Sequence, residues 1–150
     1  MDRPIALGRR IGFDYGDRRI GIAVSDKESI LVSPFATILN DENVLTKIED
    51  LLVEVDPIYI VIGDPKHLSG VHSAKSKAAR DFANTIRRKF SGPIYFVDER
   101  YSTSNSNIKL QEIGISEKSG RPIIDQIAAI SILETAINNE KAGQPIGVVF

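Results

Sequence analysis

"IGFDYGDRRIGIAVSD" (residues 11–26) reads as two apolar strands joined by a polar turn around Gly16-Asp17-Arg18. Side chains alternate along a strand, so Ile11, Phe13 and Tyr15 share one face while Gly12, Asp14 and Gly16 share the other. Asp14 therefore projects from a face whose strand neighbours lack side chains, which leaves room for an ion and a phosphate. An acid inside an apolar strand costs heavily unless it is paired or metal-bound. That makes Asp14 the first candidate site residue.

Working outward, "ILVSPFATIL" (30–39) supplies a third strand, with Pro34 marking an edge or a bulge. "DENVLTKIEDLLVEV" (41–55) is an amphipathic helix with Val44, Leu45, Ile48, Leu51, Leu52 and Val55 at helical spacing. "PIYIVIGDP" (57–65) and "GPIYFVDER" (92–100) are continuous apolar runs, as strands buried on both faces are. The helix "SAKSKAARDFANTIRRKF" (73–90) lies between them. "STSNSNIKLQEI" (102–113) predicts a further helix, and "IIDQIAAISILETAINNE" (123–140) one that is apolar nearly all round. Three strands followed by alternating strands and helices predict one α/β domain over residues 1–150. Its mixed five-stranded sheet would hold an antiparallel three-strand meander plus parallel strands, with flanking helices.

Composition narrows the class. The 150 residues are 42% apolar and 26% charged, with a net charge of −1, an ordinary globular balance. There is no cysteine, which excludes disulfides and thiolate metal sites. "MDRPIALGRR" has no apolar stretch suited to a secretion signal, and no run approaches membrane-spanning length, so a cytoplasmic protein without membrane contact is expected. Charge is unevenly placed: residues 41–56 carry six acids and one base, whereas residues 66–89 carry seven bases and one acid. The basic stretch, Lys66, Lys75, Lys77, Arg80, Arg87, Arg88 and Lys89, is where a polyanion would dock; the alternative is a solvated helix face.

Further acids fall at the ends of elements. Asp98 and Glu99 close the last apolar strand and must face opposite ways if it stays regular, and Asp125 lies in the expected first turn of the final helix. Ala128 and Ala129, one turn on, are small enough to let that helix approach the sheet. Oxygen ligands without sulfur suit a hard divalent cation, Mg2+ or Mn2+. Two such ions about 3.5–4 Å apart can stabilise the attacking and leaving oxygens of a phosphodiester. Asp14 is the natural shared ligand, with Glu99 and Asp125 flanking. Asp125 and the Asp98-Glu99 pair also have ordinary alternatives: interaction with a helix N-terminus for the first, and a strand end meeting solvent for the second.

Together and in order, "FDYGDRRIGIAVSD", "VDERYST" and "IDQIAAISILE" resemble the YqgF family, from Ile11 to about Glu134. These small bacterial proteins of the RNase H-like fold are described as Holliday junction resolvases and as pre-16S rRNA nucleases. The resemblance implies a metal-dependent nuclease that trims the 5′ end of the 16S ribosomal RNA precursor. It implies Asp14, Glu99 and Asp125 as catalytic acids and metal ligands, with Asp98 as an orienting carboxylate and Arg100 as a phosphate contact. With Arg100, the bases Lys66, Lys75, Lys77 and Arg80 form the expected substrate-binding set. The family usually reads near "GLPxNxDG" where this chain has "GDPKHLSG" (63–70), so Asp64 becomes a secondary ligand candidate, against a simple turn before Pro65. His67 and His72 fit substrate contact or plain exposure better than general-base work, and Ser102 and Thr103 fit a helix cap.

Three other functions compete. A nucleotide-binding ATPase-like domain shares the Asp-x-Gly turn between strands, but it needs a second domain and small hydroxyl residues where Asp17, Arg18 and Arg19 stand. A non-catalytic rRNA-binding assembly factor needs no acid triad. Junction resolution on branched DNA needs a homodimer, and no interface for one is specified by the sequence.

Overall fold

A computed structural model describes residues 5–65, 74–98 and 121–150, without the side chains of 121 and 122. The strands are β1 (Arg10–Tyr15), β2 (Arg19–Ser25), β3 (Val32–Leu39), β4 (Tyr59–Asp64), β5 (Ile94–Asp98) and β6 (Val148–Val149). The helices are α1 (Val44–Val55), α2 (Ala74–Arg87) and α3 (Arg121–Lys141). The sheet order is β3-β2-β1-β4-β5-β6. β1, β2 and β3 form the expected antiparallel meander, and β4 and β5 join β1 in parallel. A sixth, two-residue strand pairs antiparallel with β5, an addition to the five expected. Pro34 lies on the edge strand and beside its irregularity, since the β2–β3 register jumps from Ile22↔Ala36 to Ala23↔Pro34. The helix expected over 102–113 lies outside the described residues.

Strand alternation sorts the core into two layers. Ile11, Phe13, Ile20, Ile22, Ile60, Ile62, Ile94 and Phe96 pack with Ile48 and Leu51 of α1 and Phe82 and Ile86 of α2. Ala23, Val61 and Val97 face the other way, toward Ala129, Ile132, Leu133 and Ala136 of α3. That second face can take a helix very close because glycines supply it. A Cβ on Gly12 would lie 2.8 Å from Leu133 Cβ and 2.9 Å from the Ala129 carbonyl oxygen. α3 is buried over one broad face only; Glu134, Thr135 and Asn138 meet solvent, so it is less enclosed than its apolar sequence suggests.

The C-terminal end of α3 is pinned by a buried charge network. Arg10, fully buried, donates from Nε to Glu140 Oε1 at 3.2 Å and from Nη2 to Oε2 at 2.9 Å. Its remaining donors reach the carbonyls of Ala6 and Gly8. The Tyr59 hydroxyl donates to Glu140 Oε1 at 2.8 Å, and the Arg10 guanidinium stacks on the Tyr59 ring. Burial, then the bond from its hydroxyl and the charge of Glu140, push the Tyr59 phenol above its ordinary range.

Three outcomes are expected in thermal and denaturant unfolding. Glu140→Ala strands a buried guanidinium and should cost about 3–5 kcal/mol. Gly12→Ala forces α3 outward and should cost about 1–3 kcal/mol. Tyr59 stays protonated in the fold while the unfolded chain begins to release that proton near pH 10, so its stabilisation is complete below about pH 10 and lost above it. Comparing wild type with Tyr59→Phe across pH 8–11 should show a shallower alkaline decline in the variant.

Candidate metal and nucleic-acid site

β1, β4 and β5 run in parallel, so Asp14, Asp64 and Asp98 all stand at the carboxyl ends of strands, the rim where open α/β sheets bind ligands. They do not share a face. Asp14 pairs with Gly21 across β1 and β2, and a Cβ on Gly21 would fall 2.1 Å from the Asp125 carbonyl oxygen and 2.9 Å from Asp125 Cβ. Asp14 and Asp125 are therefore both neighbours of Gly21 on the α3 face. Asp14 is half-buried, and the Asp125 side chain is 23% exposed. Arg19, two residues before Gly21 and on the same face, donates from Nε to Asp125 Oδ2 at 3.1 Å.

α3 begins at Arg121, earlier than expected, so Asp125 lies in its second turn and the first turn has no acid. A helix dipole acts mainly on its end turn. Service to the helix N-terminus is thus a poor account of Asp125.

Asp64 pairs in register with Asp98, and alternation puts both on the α2 face, away from Asp14. Asp64 is 2% exposed; Ser76 Oγ donates to its Oδ1 at 2.6 Å, and Arg80 lies 3.4 Å from its Oδ2. The Arg80 guanidinium also stacks on the Phe96 ring. Asp64 is more than the simple turn residue considered above: it ties the first turns of α2 to the sheet.

The basic stretch divides by use. Arg80 is engaged with Asp64, Arg87 donates to the carbonyls of Phe90 and Gly92, and Lys89 pairs with Glu49 at 3.1 Å. Lys75 and Lys77 stand exposed at the N-terminal end of α2, on the Asp14 rim, while Arg88 follows the far end of that helix. Glu99, Arg100, Lys66, His67, His72, Ser102 and Thr103 lie outside the described residues. Sequence reasoning missed Arg19 as a site residue, although its parity with Gly21 was readable.

Residues 8–139 match the family model described as RuvX: Holliday junction resolvase. The chain belongs to the RuvX family. This is the YqgF family that the motifs resemble. A relative from Corynebacterium aurimucosum, named "Putative pre-16S rRNA nuclease", is 36% identical over 143 residues, covering 85% of this chain and 79% of that protein. One from Leifsonia xyli with the same name is 35% identical over 137 residues, covering 90% and 88%. Among solved structures, Thermus thermophilus RuvC in complex with Holliday junction substrate aligns with a TM-score of 0.62 at 11% identity, covering 95% of this chain and 99% of that one. The likeness confirms the RNase H-like fold.

Because Asp64 serves α2, Asp64→Ala should lower stability by about 2–4 kcal/mol. Its Mn2+ affinity should stay within about twofold of wild type by titration calorimetry, since a lost outer partner alone costs at least about tenfold.

Proposed function

We propose that this RuvX-family protein is a hydrolase of nucleic-acid phosphodiesters, a metal-dependent nuclease that processes the 5′ end of pre-16S rRNA in the cytoplasm. One observation carries the reading: α3 lies so close over Gly21, the cross-strand partner of Asp14, that the Asp125 backbone fills the place of a Cβ, which puts both acids on one face of the sheet at the strand-end rim. The donor set fits a hard cation, being carboxylate oxygens in a half-open position, and Arg19 already supplies one positive charge there. Asp14, Glu99 and Asp125 would hold Mg2+ or Mn2+, with Asp14 shared between two ions. The alternation that turns Asp98 away from Asp14 supports Glu99 as the third acid. Bound there, the ions would neutralise charge at the scissile phosphate and lower the pKa of the attacking water.

The protein's own groups do the rest. Lys75 and Lys77 would meet backbone phosphates at that rim, and Lys66 and Arg100, which lie outside the described residues, are further expected phosphate contacts; such contacts give affinity and orientation without sequence readout. Arg80 acts through Asp64, setting where α2 begins and thus where Lys75 and Lys77 stand. The RNA substrate rests on the function named for the relatives. A second reading, Holliday junction resolution by a homodimer, is favoured by the description of the family model.

With Mn2+ present, the wild type should cut a labelled 16S precursor 5′ leader, and Asp14→Asn should lose about 100-fold or more in rate. Loss of an outer partner alone costs 10–100-fold. Faster cutting of a four-way DNA junction than of the leader would favour the resolvase; binding of the leader without cutting would indicate an assembly factor.

A further inference from the structure

Two arginines from the sheet hold the two ends of α3, and they are built differently. Arg10 is fully buried, spends its donors on both Glu140 oxygens and two carbonyls, and has nowhere to go. Arg19 reaches Asp125 with one N–H at 3.1 Å, and the two side chains are 29% and 23% exposed. The first is a permanent fastening. The second is a pair that water already touches, and such pairs are weak.

We infer that Arg19 is a displaceable counter-cation of the candidate metal site, which releases Asp125 when a divalent ion arrives and then turns to a substrate phosphate. The inference rests on reading Asp14 and Asp125 as metal-holding residues. Asp125 accepts from the guanidinium on the face it shares with Asp14, so an ion held by both acids competes with Arg19 for the same carboxylate. Two cations a few ångströms apart repel, which favours outward rotation of the longer, flexible partner. Arg19 opens β2 straight after the Gly16-Asp17-Arg18 turn, where Asp17 and Arg18 are exposed, so its side chain has solvent beside it. A planar guanidinium set free beside a phosphodiester site matches phosphate oxygens with two N–H donors. The protein would then hold one positive charge on Asp125 while empty and lend that charge to the substrate once loaded.

The test is Mn2+ titration of the full chain without nucleic acid, by calorimetry and by the paramagnetic resonance of free Mn2+, on wild type, Arg19→Gln and Arg19→Lys. Thermal midpoints of all three report on folding. Removing the competitor should tighten Mn2+ binding about two- to fivefold in R19Q, the span of an exposed pair. With Ca2+ in place of Mn2+, the salt slope for RNA binding should fall by about one in R19Q. R19K keeps the charge and loses the fork, so its Mn2+ affinity should stay near wild type while RNA affinity drops; it carries the test if R19Q is unstable. Unchanged or weaker Mn2+ binding by a folded R19Q overturns the inference and leaves the metal site standing. If no form, wild type included, takes up Mn2+, the metal-site reading falls and this inference with it.

Discussion

The structure depends on how closely α3 lies against the sheet. Two backbone positions permit that approach, Gly12 beneath Ala129 and Leu133 and Gly21 beneath Asp125. A methyl group at either would overlap atoms of the helix, so the contact is set by the absence of side chains. The same absence has a second geometric result. The helix turn that carries Asp125 comes down on the cross-strand neighbour of Asp14, and the two carboxylates share a face with nothing from Gly21 between them. Close packing and a candidate metal site are one geometric fact here.

Charge is then used to hold that geometry. At one end of α3, Arg10 donates to both oxygens of Glu140, and Tyr59 adds a third hydrogen bond to the carboxylate. Buried pairs of this kind add little net stability, because desolvation offsets much of the attraction, yet losing one partner leaves an uncompensated charge. On the opposite sheet face, Asp64 plays the corresponding part for α2 through Ser76 and Arg80. The basic helix thus spends part of its charge inward, and Lys75 and Lys77 remain at the rim where a polyanion would arrive.

Much was legible in residues 11–26 because strand alternation is a local rule. Apolar positions two apart predicted β1 and β2, and the same parity put Asp14 beside glycines rather than beside Phe13 and Tyr15. Pro34 marked an edge because proline cannot donate to a neighbouring strand. Asp64 resisted this treatment: its parity could be read, but its partners Ser76 and Arg80 are 12 and 16 residues away, past a stretch whose course no periodicity specifies.

The sequence by itself determined β1 to β5, α1, α2 and the body of α3, the faces these elements present and the residue types available for chemistry, since these follow from side-chain period and backbone chemistry within a few residues. Only the tertiary structure decided which acids share a face. Asp14 and Asp125 are 111 positions apart and share a face because α3 crosses the sheet over glycine, whereas Asp64 and Asp98 end neighbouring strands and turn to the other face. It also decided that Arg19 pairs with Asp125 and that Arg10 is sealed against Glu140. Those pairings depend on where a 21-residue helix lands, and that is set by packing across the whole sheet.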